Sequence, residues 1–330
     1  VMSRSVATIF SRALAMLALA GYAWPALAAE GDYPSKPITI VVAYAPGGQG
    51  DTFARLVGDK LSAVYKQPVL VNNKPGVAGT VGTSIAAKSK NDGYTLFLGQ
   101  TGEITVNRLL IKDLGYDPIK EFTPVVLIGN APLVMLAPMD APYNNVAEFI
   151  AQARAKPGQF SFGSVGAGTP GHLSATALAL GGKLDMVHVP YKGIGPLMAD
   201  LMANRLQAFF SSASAAVPQV KGGKLKALAV TTPQRMNSLP NVPTVAESGL
   251  PGFSYTLWGG LFAPVGTPKS VIDSLNKETN AILALPEVKS RLDADNVSVP
   301  RNTPEEFAAY VRAEAAKYEK LAQEAKLKVE

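Results

Sequence analysis

The residues best placed to do chemistry sit in glycine-rich turns. In SVGAGTPGHL (164–173), Gly166, Gly168 and Gly171 spell G-x-G-x-x-G between an apolar run and the helix-like SATALALGG. That spelling is a dinucleotide fingerprint, which also needs an acidic residue for the ribose at the end of the next strand, roughly 20 residues on. The next strand, MVHVPYK, ends in Tyr191 and Lys192, and Asp185 stands at its start, the wrong edge of a sheet. A nucleotide site is therefore disfavoured. What remains is a helix start whose free N–H groups and dipole favour an anion, with the hydroxyls of Ser164 and Thr169 alongside. Such a turn can hold a carboxylate without lysine or arginine, or its glycines can simply permit a tight bend.

Two further turns match it. YAPGGQGD (44–51) places Gly47, Gly48 and Gly50 before a helix for which Asp51 is the expected N-cap, and GVAGTVGTS (76–84) does the same for the next helix. Three such starts at the carboxyl ends of parallel strands can converge on one crevice. Other chemistry is poorly supplied. His172 and His188 are the only histidines, too few for a metal site. His188, in an apolar strand, is expected as a satisfied core residue. Trp258 either lines the cleft and stacks on a ligand or lies in the core. No G-x-S-x-G elbow is present, so a hydrolase would need a triad from scattered serines, His172 and Asp51.

These turns require strands and helices in alternation. ITIVVAYA (38–45) is a continuous β-branched run, as in strands buried on both faces, and TFARLVGDKLSAVY carries apolar residues at helical spacing. PVLVNN and YTLFLG (94–99) continue the first series. A second begins near Pro132 with PLVMLAP and runs through FSFGSV, MVHVPY, LQAFFSS and LKALAVTT, with helices between. YTLWGGLFAP (255–264) is a late strand. TPKSVIDSLNKETNAILAL and TPEEFAAYVRAEAAKYEKLAQEAK are each expected to open with a threonine N-cap and proline at N1. The alternation predicts an α/β fold of two domains, each a mostly parallel sheet flanked by helices. The expected boundaries are 29–131 with 257–330 for the first and 132–256 for the second, joined by two crossover segments.

Composition limits the partners. Arg4 and Arg12 precede the apolar ALAMLALAGYAW, and ALA at 26–28 has the form of a cleavage site, so residues 1–28 are expected to be a signal peptide cut near Ala28. Its loss takes the net charge from +6 to +4. The chain has no cysteine, which suits a periplasm better than a disulfide-built extracellular scaffold. Basic residues are dispersed without interleaved aromatics, which argues against nucleic acid.

AYAPGGQGDTFAR and VNNKPGVAGTVGTSIAAKSKNDGYTLFLG resemble the opening motifs of the solute receptors of tripartite tricarboxylate transporters, the Bug family. LGYDPIKEFTPVVLIG, SFGSVGAGTPGHL, VPYKGIGPLMADLMANRLQAFF, LKALAVTTPQRMNSLPNVPTVAESG and APVGTPKSVIDSLN are similar to its later signatures, in the same order. The resemblance implies an exported, periplasmic, two-domain receptor of the periplasmic-binding-protein fold. Such a receptor delivers a small carboxylate to membrane permease subunits, as a monomer, without cofactor, metal or catalytic residue. Carried over residue by residue, it implies ligand contacts from Tyr44, Gly47 and Gly48, from Gly79, Thr80 and Gly82, and from Ser164, Gly168, Thr169 and His172. Gln100 and Tyr191 complete the expected set. After the third strand the chain departs from the family's small hydroxyls and histidine and reads GQTGEITVN. Glu103 there is expected first as a solvated acid at a helix start, and second as a cleft residue that pairs with an amine or accepts from a hydroxyl. A dicarboxylate or an aromatic carboxylate fits these turns, and the lack of arginine disfavours a tricarboxylate. The alternatives are an exported α/β hydrolase and a ligand receptor for a signalling system.

Overall fold

The computed structural model describes residues 33–327. The chain divides between Ser35 and Lys36 into two units, and the sheets and helices belong to the second, Lys36–Glu330. The expected signal segment lies outside the described residues. Among those residues, no helix is long and apolar enough to cross a membrane.

The first sheet contains β1 (Ile38–Val42), β2 (Val69–Asn73), β3 (Thr95–Gln100), β4 (Phe122–Ala131) and β10 (Leu257–Pro264), and the second contains β5 (Leu133–Pro138), β6 (Phe160–Ser164), β7 (Met186–Pro190), β8 (Ala208–Ser212) and β9 (Leu225–Val230). The strand orders are β2-β1-β3-β10-β4 and β7-β6-β8-β5-β9. In each sheet one strand runs against the others: β10 is antiparallel to β3 and β4, and β5 to β8 and β9. These two strands are the crossover segments expected from PLVMLAP and YTLWGGLFAP. Each enters its sheet from the other half of the chain.

The helices pack on the sheets by ordinary amphipathicity. Helix α1 (Gln49–Tyr65) buries Phe53, Ala54, Val57 and Leu61, and α2 (Thr80–Ala87) lies along β1 and β3. A π-helical turn (Gly102–Val106) continues into α3 (Asn107–Leu110). The second sheet carries α4 (Val146–Ala155), α5 (Pro170–Gly182), α6 (Ile194–Met202) and α7 (Ala213–Lys221), and the chain ends with α8 (Lys269–Leu283), α9 (Pro286–Ala294) and α10 (Pro304–Glu324). Strand β5 shows why its sheet is covered on both faces. Leu133, Met135 and Ala137 join one apolar cluster with Phe149 and Leu178, whereas Val134 and Leu136 join another with Leu197 and Leu201. The first cluster also takes Val106 and, from α10, Tyr318 and Leu321, so helices after both sheets share one core.

Several local expectations change. Helix α1 starts at Gln49 with Gly48 as N-cap, so Asp51 lies inside the first turn and reaches back to accept from the Gly47 N–H at 2.9 Å. Thr303 does cap α10, in a reciprocal box with Glu306. Thr267 does not cap α8: Pro268 takes that place, and the Thr267 hydroxyl donates to the Pro264 carbonyl at 2.7 Å. Trp258 is core. It is fully buried on β10, edge-on to Phe307 and Tyr310. Strand β4, which the alternation does not reveal, forms a sheet edge, and Asn302 covers it by accepting from the Leu127 N–H at 2.9 Å and donating to the Leu127 carbonyl at 3.0 Å.

Candidate functional site

Helices α1, α5 and α7 begin directly beyond the carboxyl ends of β1, β6 and β8, and α2 beyond β2. The N-caps Gly48, Gly79, Thr169 and Ser212 make no side-chain capping bond, whereas Asn145 caps α4 with a bond from the Glu148 N–H. First-turn N–H groups of a helix have no carbonyl partner within it. At uncapped starts they and the helix dipole are available to an anion.

The segment 100–110 brings two of these starts together. At its beginning, Gln100 lies over α1: a Cβ placed on Gly50 would sit 2.5 Å from Gln100 Oε1. At its end, a Cβ on Gly168 would sit 2.6 Å from Leu110 Cδ1. One nine-tenths-buried amide and one short helix therefore span from the first glycine turn to the third. Thr101 anchors this segment to the crossover. Its hydroxyl donates to the Thr256 carbonyl at 3.2 Å and accepts from the Trp258 N–H at 3.1 Å.

The expected residues fall into distinct roles. Tyr44, half-buried, donates its hydroxyl to Glu103 Oε2 at 2.9 Å, and its carbonyl accepts from Asn73 at 3.0 Å. The Gly47 N–H is already given to Asp51, whose carboxyl is held below its ordinary range by the Arg55 guanidinium and, against the cost of burial, by that N–H. Gly79, at φ +86°, packs under the Tyr44 ring, 3.1 Å from Cζ to an ideal Cβ. Thr80 opens α2. Gly82 serves packing: a Cβ there would stand 2.7 Å from Ala43 Cα and 2.8 Å from the Lys74 carbonyl.

In the third turn the hydroxyls are engaged within the loop. Ser164 Oγ donates to the Gly166 carbonyl at 2.9 Å, accepts from the Gly166 N–H at 3.1 Å and shares a 2.7 Å bond with His188 Nε2. Thr169 Oγ1 donates to the same carbonyl at 2.8 Å. His172 Nδ1 accepts from the Gly168 N–H at 3.1 Å, which fixes the neutral tautomer with its proton on Nε2. The two imidazoles lie 4.2 Å apart, with Phe162 stacked on His188. Burial, reinforced by the neighbouring His188, pushes the His172 pKa down to about 4, and burial also lowers that of His188. His188 is thus satisfied, but on an edge strand and by the third glycine turn instead of by the core. Ser164 and His188 form a serine–histidine pair, yet Ser164 is fully buried and offers no nucleophile to a substrate. Tyr191 donates its hydroxyl to Asp200 at 2.7 Å, within its own half of the chain.

Glu103 departs from the first of its two expected roles. It is fully buried, and not a solvated acid. Its Oε1 accepts from the Gln100 N–H at 2.8 Å, its Oε2 from Tyr44, and its backbone carbonyl from the Tyr116 hydroxyl at 3.0 Å. Burial pushes its pKa up to about 7, against the smaller lowering by its own backbone N–H, the Tyr44 hydroxyl and the Gln100 N–H.

A cavity of about 470 Å³ lies elsewhere, where both crossover segments pass: Asn130 and Pro132 border it on one, Ser254 and Thr256 on the other. None of the expected ligand residues lines it. Its wall carries the carboxylates of Asp293 and Glu314, and its Arg235 is paired with Glu247 at 3.0 Å. That wall offers an anion no unpaired cation, so the uncapped helix starts remain the better candidate. Among the described residues no three His, Asp or Glu side chains gather as metal ligands.

Residues 53–327 match the family model described as the tripartite tricarboxylate transporter family receptor. The chain is 32% identical to the protein BugT of Bordetella pertussis over 94% of its own length and 96% of that protein's. It is similar to the structure of Rpa4515 from R. palustris with adipate, at 33% identity and a TM-score of 0.80, covering 90% of this chain and 100% of that one. It also resembles MatC from Rhodopseudomonas palustris with bound malate, at 32% identity and a TM-score of 0.75, covering 88% and 99%.

Proposed function

From a chain that belongs to the tripartite tricarboxylate transporter receptor family, we propose a periplasmic receptor that captures a small dicarboxylate or aromatic carboxylate and delivers it to a membrane permease. The family is a solute-binding receptor family, and its fold here is the two-domain periplasmic-binding-protein fold. The ligand would lie between a first domain of 29–131 with 257–330 and a second of 132–256. β5 and β10 would act as the hinge.

The observation that carries this reading is the shared contact of segment 100–110 with the starts of α1 and α5. Uncapped helix starts from both halves of the chain thereby flank one segment, a two-ended arrangement suited to an elongated anion. The relatives with adipate and malate support the same ligand class. Closure on the ligand would shift an open–closed equilibrium by the ligand's differential affinity, and the permease would read the closed form.

The test is a thermal-shift screen of the full chain against adipate, malate, acidic amino acids and benzoate. A ligand at about 100 times its Kd stabilises the folded state by about 2.7 kcal/mol, which should raise Tm by several degrees. A hit that is not consumed over hours supports a receptor. No hit from any carboxylate, or loss of the hit through turnover, refutes it.

A further inference from the structure

We propose that Glu103 is a positioning residue, acting through Tyr44, that couples capture of a carboxylate to uptake of one proton. This rests on the receptor reading above and goes beyond it, because the family resemblance supplies no acid at this point of the chain.

The geometry is that of a carboxyl built to change its protonation state. It is fully enclosed, and its two oxygens receive the Gln100 N–H, the Tyr44 hydroxyl and its own backbone N–H, all neutral donors. No lysine, arginine or histidine is among its bonded partners. The surrounding elements supply little charge. The turn after β1 presents Tyr44, the loop after α3 presents Tyr116, and α2 presents the neutral Thr83. From α10, Phe307 and Val311 pack toward Ile104 of the same turn. The α10 carboxylates Glu314 and Glu319 are paired with Lys317 and Arg108. A fully buried carboxylate with neutral donors and no cation is held less firmly in its charged form than an ion-paired one. Consistent with this, burial raises its pKa to about 7.

Tyr44 makes this state visible to a ligand. While Glu103 is ionised, the phenol O–H is spent on Oε2. When a proton from water binds Oε2, the new carboxyl O–H can donate to Tyr44 Oη, and the tyrosine's own O–H leaves Oε2 for a ligand oxygen, for which its competing acceptor is the Ala78 carbonyl at 3.4 Å. One proton moves from solvent to Glu103, and no other bond changes. An anion arriving beside Tyr44 further disfavours the Glu103 charge, so binding and protonation reinforce each other, and the coupling is reciprocal.

The experiment uses adipate and malate as probes from about pH 6.5 to about pH 8.5, where both are dianions, in wild type and in Glu103→Gln. The variant amide keeps an acceptor for the Gln100 N–H and offers an N–H toward Tyr44, imitating the protonated acid. Wild-type Kd should rise up to about tenfold per pH unit above about 7, with calorimetry in two buffers showing uptake of one proton. The variant should show neither. In the ligand-free chain, an infrared protonated-carboxyl band absent from the variant should titrate over the same range. Tyr44→Phe should weaken binding while leaving that band in place. Equal pH slopes in wild type and Glu103→Gln, or no such band at about pH 6.5, overturn the coupling alone. If neither probe nor any other carboxylate of the thermal-shift screen binds wild type while the band titrates, the receptor reading fails and the coupling falls with it.

Discussion

Replacing His172 with glutamine should remove one limb of the protein's stability–pH curve. In the fold, His172 is 7% exposed and its Nδ1 is committed as an acceptor, so protonation would turn that acceptor into a donor facing an N–H. It would also place a second positive charge 4.2 Å from His188 if that ring were protonated too. The folded pKa is about 4 against 6.5 unfolded. A depressed histidine pKa means that the unfolded chain binds more protons. Its contribution is therefore fully present above about pH 6.5 and is lost as the pH falls toward 4. The full loss is about 3 kcal/mol, of which about 2 is reached by about pH 5. Glu103 works the other way. Its raised pKa gives stability that is present below about 4.5 and lost as pH rises through about 7. The two ramps overlap and oppose each other, so the wild-type curve by itself conceals both. Urea unfolding of wild type and His172→Gln at about pH 7.5 and about pH 5 isolates the histidine limb. Glutamine Oε1 can still accept from Gly168 while carrying no proton to titrate. The variant should lose about 2 kcal/mol less than wild type between the two pH values. Equal losses would refute the argument that the buried imidazole must stay neutral.

Two further outcomes follow from packing. Gly82→Ala forces a methyl against backbone atoms of Ala43 and Lys74 and should cost about 1–3 kcal/mol in urea unfolding; a ligand role alone would leave stability unchanged. Trp258→Phe should lower stability through a core void while leaving adipate affinity of the folded protein intact, since Trp258 is fully buried. A tryptophan that stacked on the ligand would give the reverse pattern.

Much of the fold was legible because β-branched runs such as ITIVV and helical periodicity such as that of α1 are local properties of the chain. Strand β4 was hidden because Pro124 interrupts its apolar run, a residue tolerated where β4 forms the sheet edge. Helix α1 was misplaced by three residues because Asp51, a good capping type, is used at the third helical position to hold Gly47. The glycine turns could be read as helix starts, but the partners of their hydroxyls could not: His188 reaches Ser164 from the neighbouring strand, a register that no spacing reveals. Glu103 was misread for the same reason. Its burial is made by Tyr44 before it, Tyr116 after it and the distant C-terminal helix that covers its turn.

The reversed strand of the first sheet has a consequence for how the chain comes into being. β3 and β4 are made early, but the strand that must lie between them, β10, is supplied only after the whole second sheet has been synthesised. The first half cannot zip up ahead of time, because its centre is missing. During synthesis it remains without Trp258 and Phe262, two of the large side chains in its core. A nascent chain that cannot finish its first half until nearly all of it exists keeps that half open for longer. The crossover that serves as the proposed hinge in the finished receptor would thus also delay its premature closure.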